Sequence, residues 1–153
     1  LRNVPGTQLF QAIPQVRAEL GDRAILRALH FYAETDRVVE QVTALEQDDM
    51  DSFLRNTNES GSSSCRWLQN CSTPHSPREQ GLLLGLALSE RFIHTAGKGA
   101  CRVHGGGFAG TILAILPSAV VPDYVGMMQQ VFGEKSVTSL RIRDFGSCTL
   151  WNK

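Results

Sequence analysis

Ala100–Pro117 reads Ala-Cys-Arg-Val-His-Gly-Gly-Gly-Phe-Ala-Gly-Thr-Ile-Leu-Ala-Ile-Leu-Pro, and the fold turns on how this stretch is read. An apolar-polar segment runs into three consecutive glycines, passes one aromatic and a fourth glycine, and leaves through a β-branched apolar run stopped by proline. The pattern predicts strand, glycine loop, strand, with strands at about Gly99–His104 and Gly110–Leu116. Glycine loses more backbone entropy than any other residue on ordering, so Gly105, Gly106, Gly107 and Gly110 point to unusual dihedrals or close approach to the main chain. Peptide N–H groups without side chains in front of them form anion-binding nests, so a phosphate or sugar is a natural candidate. The competing reading is a glycine-rich hairpin that merely turns.

Downstream, Pro122 at an early helical position, the apolar set Tyr124, Val125, Met128, Val131 and Phe132, and Gly133 at the end predict a short amphipathic helix. Val137–Arg143 and Ser147–Leu150 alternate like edge strands. Upstream, Ser76, Pro77 and Glu79 spell a capping box, and the helix it opens is predicted to end near Thr95, before Ala96-Gly97. Residues 70–77 read as a loop. Asp48-Asp49 places acidic residues at another helix start, favourable with the helix dipole. That helix is predicted to run from Met50 toward Ser60 and, under tertiary packing, on to about Leu68. Ile25, Leu26, Leu29, Tyr32, Val38, Val39, Val42 and Leu45 recur at helical spacing over about seven turns, giving one long helix from Asp22 to Glu46. Pro5, Gly6 and Pro14 make residues 1–21 a connecting segment with at most a short helix, and 22–153 the domain. Helices followed by β-β-α-β predict an α+β fold, with helices packed on one face of a small antiparallel sheet.

Composition narrows the function classes. The chain has 153 residues, with 15 basic and 15 acidic side chains and no formal net charge. That balance argues against a nucleic-acid footprint or a polybasic membrane anchor. No apolar run approaches the length of a membrane span and no charged-then-apolar leader opens the chain, so a soluble, cytoplasmic protein is expected. Leu1 in place of Met suits a chain that begins partway along a longer gene. Cys65, Cys71, Cys101 and Cys148 form no C-x-x-C, which leaves metal binding unsupported and predicts reduced, packed thiols.

Three motifs carry the letters of known chemistry without its context. Gly105-x-Gly107-x-x-Gly110 matches the dinucleotide fingerprint, but that fingerprint opens a helix, and here a short β-branched run follows. The same spacing with Asp144-Phe145-Gly146 imitates protein kinases, yet the strand lysine, helical lobe and His-Arg-Asp loop are absent, so Asp144–Gly146 reads as a turn before the last strand. Gly61-Ser62-Ser63-Ser64 would cradle phosphate only ahead of a helix, whereas it follows a helical pattern and reads as serines inside or ending it. His30, His75 and His94 have no partner at readable spacing. His104 abuts the glycine loop and either faces a ligand or points to the other side of its strand.

Arg102-Val-His-Gly-Gly-Gly-Phe-Ala-Gly110-Thr resembles the third conserved motif of the GHMP small-molecule kinases in its galactokinase form, commonly Arg-Met-Thr-Gly-Gly-Gly-Phe-Gly-Gly-Cys. Arg27-Ala28-Leu29-His30 with Glu34 and Arg37-Val38 resembles the family's Arg-Ala-x-His helix. Asn58-Glu59-Ser60 falls where its Asn/Glu-Ser helix would, and Cys71 with Pro74 loosely resembles its Ser-Cys-Pro element. His104, Ala109 and Thr111 depart from the usual threonine, glycine and cysteine, which bears on sugar specificity. The resemblance spans Asp22 to Leu150 and implies a ferredoxin-like C-terminal half of a galactokinase-like enzyme. Such enzymes transfer the ATP γ-phosphate to the anomeric hydroxyl of galactose with Mg²⁺. The phosphate loop and catalytic aspartate would lie in an N-terminal half, the expected partner, so no catalytic residue is assigned here. By this resemblance His104, Gly105, Gly106, Gly107, Phe108 and Gly110 would line the cleft where phosphates meet sugar. The isolated chain would be inactive, would bind no ATP or Mg²⁺ alone, and would tend to self-associate. A non-catalytic sugar-sensing or regulatory module of the same fold is the alternative.

Overall fold

Helix α2 (Asp22–Glu46) is the longest element and has the bounds that its apolar periodicity predicts. The computed structural model describes residues 1, 3–108 and 110–142. Ahead of α2 lies α1 (Gly6–Leu20), with Pro14 inside it. This corrects the expectation of at most a short helix. An interior proline costs a helix about 3 kcal/mol, but packing offsets it. Leu9 is buried, Ile13 and Val16 are half-buried one and two turns on, and the Tyr32 hydroxyl of α2 donates to Val4 O at 2.7 Å.

Asp49 caps α3 (Met50–Ser63) by accepting from Ser52 N at 3.0 Å. The helix continues as a π turn over Ser64–Leu68, so the Gly61–Ser64 run lies within helical structure, as read. Helix α4 (Gly81–Ala96) starts later than the capping box predicts. Residues 76–80 instead make a turn in which Glu79 N donates to Ser76 O at 3.0 Å and Gln80 Nε2 to Pro77 O at 3.1 Å. The helix begins where Leu82 and Leu86 reach the core, so burial, not the local cap, sets its first turn. Gly97 ends it in the left-handed region.

Strands β1 (Ala100–His104) and β2 (Thr111–Ile115) pair antiparallel, with Ala100 opposite Ile115 and His104 opposite Thr111. A 3₁₀ turn over Ser118–Val120 leads into α5 (Val121–Phe132), closed by Gly133. The chain is thus α+β, with five α-helices and a two-stranded antiparallel sheet among the described residues. Cys101 and Val103 face α4 in a core with Cys71, Leu82 and Leu86, joined by Ile93, Ile112 and Ala114. Helix α5 backs α4 through Tyr124, whose hydroxyl lies 2.7 Å from Ser89 Oγ. Helix α3 runs close against β1, where a Cβ on Gly61 would come within 2.9 Å of Cys101 O.

Residues 137–142 form no strand. Leu140 and Ile142 are 77% and 100% exposed, so nothing buries the apolar face of that alternation, and pattern alone does not make a ladder. The expected turn at Asp144–Gly146, the strand Ser147–Leu150 and Cys148 lie outside the described residues. Among those described, Cys65, Cys71 and Cys101 are free thiols, and no helix is long and apolar enough to cross a membrane.

Candidate functional site

The glycine turn projects from the end of the hairpin. Gly105 and Gly107 have φ of 72° and 80°, and Phe108 has φ of 63°, a left-handed conformation that costs a side-chain-bearing residue roughly 1–2 kcal/mol. What surrounds each glycine separates them. A Cβ on Gly107 would overlap the Asn70 carbonyl oxygen and lie 2.8 Å from its side-chain Cγ, whereas Gly105 and Gly106 have nothing within 4 Å. Gly110 meets only ordinary contacts, the nearest at 3.5 Å. The protein's own packing therefore explains Gly107. The left-handed φ of the turn accounts for Gly105, and Gly106 is required by neither, with open space before its Cα. His104 shares its strand face with Arg102, opposite the Cys101–Val103 core, and is exposed.

Where β1 meets α2 and α3 lies a polar seam. Arg102 Nη1 donates to Ser60 Oγ at 2.6 Å and stands 3.7 Å from Glu34 Oε2. Ser60 Oγ also donates to Glu34 Oε2 at 2.5 Å, and Arg37 Nη1 pairs with Glu34 Oε1. Arg37 Nε faces Glu59 Oε2 at 3.8 Å, an ion-pair distance beyond hydrogen-bonding reach. One turn away on α2, His30 Nδ1 lies 2.9 Å from Ser63 Oγ. Helical spacing explains the assembly: His30, Glu34 and Arg37 fall on one face of α2, Ser60 and Ser63 on one face of α3, and Arg102 turns toward both. Burial lowers the His30 pKa from its usual 6.5; Glu34 opposes the shift, while Arg102 and Arg37 add to it. Burial pushes the Cys101 thiol up to about 12, and that of Cys71 rises for the same reason with Cys65 adding to it. These two are packing groups rather than nucleophiles at neutral pH.

Of the helical motif residues, Ser60 and Glu34 thus reach Arg102 on β1, Arg37 joins through Glu34, and His30 lies one turn along α2 against Ser63. Asn58 joins them differently, donating through Nδ2 to Gly99 O at 3.2 Å and accepting from Cys101 N at 3.0 Å. That places one side-chain amide on the edge of β1 away from β2, where it satisfies strand groups that lack a partner strand. Arg27 is exposed and outside the seam. Ala109 lies outside the described residues.

Two surface grooves are lined by none of residues 104–110. One, about 650 Å³ and open, lies beside α3 and the Gly97–Gly99 loop, and its Lys98 is already paired with Asp51 at 2.6 Å. The other, about 430 Å³, lies between α4 and α5. Among the described residues no group of three or more His, Cys, Asp or Glu side chains is placed to hold a metal ion.

Asn70 escaped the sequence reading. An asparagine before Cys-Ser-Thr-Pro looks like a turn former, and its partners at 106–108 lie too far along the chain for spacing to betray them. No protein-family model and no curated protein matches this chain.

Proposed function

We propose that this chain is the C-terminal half of a galactokinase-like sugar kinase with the ferredoxin-like fold of the GHMP family, its glycine turn forming one wall of the phosphoryl-transfer cleft. The observation that carries the reading is the convergence of Glu34, Arg37, Ser60 and Arg102, from three separated motifs, on the strand β1 that leads into the Gly105–Gly110 turn. Open space before Gly105 and Gly106 supports close approach of a ligand to the backbone. Their N–H groups suit the anionic side of ATP or of a phosphorylated sugar. In this reading the metal's ligands, the phosphate loop and the catalytic aspartate belong to the N-terminal half. The exposed stripe Val38, Val42 and Leu45 on α2, with Val39 beside it, supports a partner surface there.

In this arrangement the turn binds and orients, and the partner half supplies the chemistry. The test is ATP-dependent phosphorylation of galactose by the polypeptide joined to its N-terminal half, read as the anomeric sugar phosphate by ³¹P NMR. Turnover by the joined protein and none by this chain alone is the expected result. Turnover by this chain alone would overturn the division of labour. Sugar binding without turnover in the joined protein would move the reading to a sensor of the same fold, for which exposed His104 in place of threonine is the favouring feature.

A further inference from the structure

We propose that Asn70 is the positioning residue of the glycine turn, setting the direction in which the Gly105–Gly106 peptides and the Phe108 ring are presented. Three consecutive residues of the turn meet this one side chain and its backbone. Phe108 N donates to Asn70 O at 2.6 Å, Asn70 Nδ2 donates to Gly106 O at 3.3 Å, and Gly107 presses on Asn70 so closely that a Cβ has no room. Asn70 is itself only 2% exposed.

The chain is built to deliver it there. The π turn ends at Gln69, whose left-handed φ of 60° and ψ of 45° reverses the backbone, while Gln69 N and Asn70 N donate to Ser64 O at 2.8 and 3.5 Å. π turns inside helices are rare and recur at functional sites. The energetics are balanced closely enough for Asn70 to decide the turn. Holding Phe108 left-handed costs about as much as one or two hydrogen bonds return. Without the Asn70 bonds Phe108 falls back to an ordinary conformation and its ring, now 46% exposed, swings. Backbone strain of this kind persists only where surrounding structure over-determines it.

What the turn presents itself to rests on the kinase reading above, so the test has one arm that does not. In the first arm, amide hydrogen exchange of this chain by NMR compares wild type with Asn70→Ala. The bond from Phe108 N to the Asn70 carbonyl survives this substitution and only the side-chain bond to Gly106 O is lost, so roughly two- to fivefold faster exchange is expected at Phe108 N–H, with Cys101 N–H, held by Asn58 at the other end of the hairpin, unchanged. In the second arm, the chain joined to its N-terminal half carries the same substitution. A fall in kcat of about 10- to 100-fold with little change in KM is expected, because misplacement of about 1 Å at a binding wall costs that much. Asn70→Asp serves as a second variant. Its protonated acid can donate to Gly106 O and its ionised form cannot, so kcat should fall with rising pH along a titration that wild type lacks. Unchanged Phe108 exchange in Asn70→Ala overturns the proposal, and so does faster exchange with unaltered kcat. If the joined wild type phosphorylates no sugar, the kinase reading fails, and the exchange arm still decides whether Asn70 holds the turn.

Discussion

The two ends of the β1–β2 hairpin are each held by one asparagine, in opposite ways. At the open end the Asn58 side chain makes both bonds, to Gly99 O and Cys101 N, so the hold depends on that amide. At the tip the stronger bond, from Phe108 N, goes to the Asn70 backbone, and the side chain adds the weaker one to Gly106 O. The glycines differ in the same way. At the open end a Cβ on Gly99 or on facing Gly61 meets atoms at 2.9 Å. At the tip only Gly107 is confined, and Gly105 and Gly106 have empty space before them. An end whose glycines are all explained by protein contacts is structural. At the tip the left-handed φ accounts for Gly105, and Gly106, which neither packing nor φ requires, is the position with room for an incoming group.

The largest expected effect tests that distinction directly. Gly107→Ala places a side chain at φ of 80° and against Asn70, combining backbone strain with overpacking for a loss of roughly 3 kcal/mol. Gly106→Val, at the next position, should change stability by no more than about 0.5 kcal/mol, yet impair any activity that needs close approach there. Denaturant unfolding of both variants checks the pair. Equal losses would erase the difference between the confined and the open glycine.

Smaller, and confined to the other end, is Asn58→Ala. Two hydrogen bonds from a solvent-facing amide should cost about 1–2 kcal/mol in all, with faster exchange at Cys101 N–H and none at Phe108 N–H. Acceleration at both would mean that the ends open together.

The smallest effect separates the ends by pH. The open end is held by a neutral amide, whereas the seam between α2, α3 and Arg102 contains His30, whose pKa burial depresses below 6.5. Below pH 6.5 the unfolded chain binds a proton that the folded His30 resists, so stability is full above that value and falls as pH drops through the folded pKa. His30→Asn should flatten the decline in stability as the pH falls below about 6.5, as followed by thermal melts. An unchanged slope would place the acid sensitivity elsewhere.

Legibility in the sequence followed the range of the forces involved. Helices α2 and α5 and the two strands were readable because periodicity, Pro122, Gly133 and the glycine run act over a few residues. Helix α1 was obscured by Pro14, although Leu9, Ile13 and Val16 carry its stripe and the contact with Tyr32 supplies the compensation. Helix α4 shows the reverse failure: Ser76, Pro77 and Glu79 offered a good local start that residues 76–80 spend on a turn. At the site, the seam residues were separately visible as motifs, while their meeting, and the part played by Asn70, were not.

By itself the sequence determined the order and type of most elements, because turn chemistry and hydrophobic period are local properties. It also marked 105–110 as a place where backbone matters. Only the tertiary structure decided which glycine is held by the protein and which is open, and which asparagine holds which end. It also left Val137–Ile142 without a strand despite its alternation. Those outcomes depend on contacts between residues distant in the chain, where packing and desolvation outweigh local preference by a few kcal/mol.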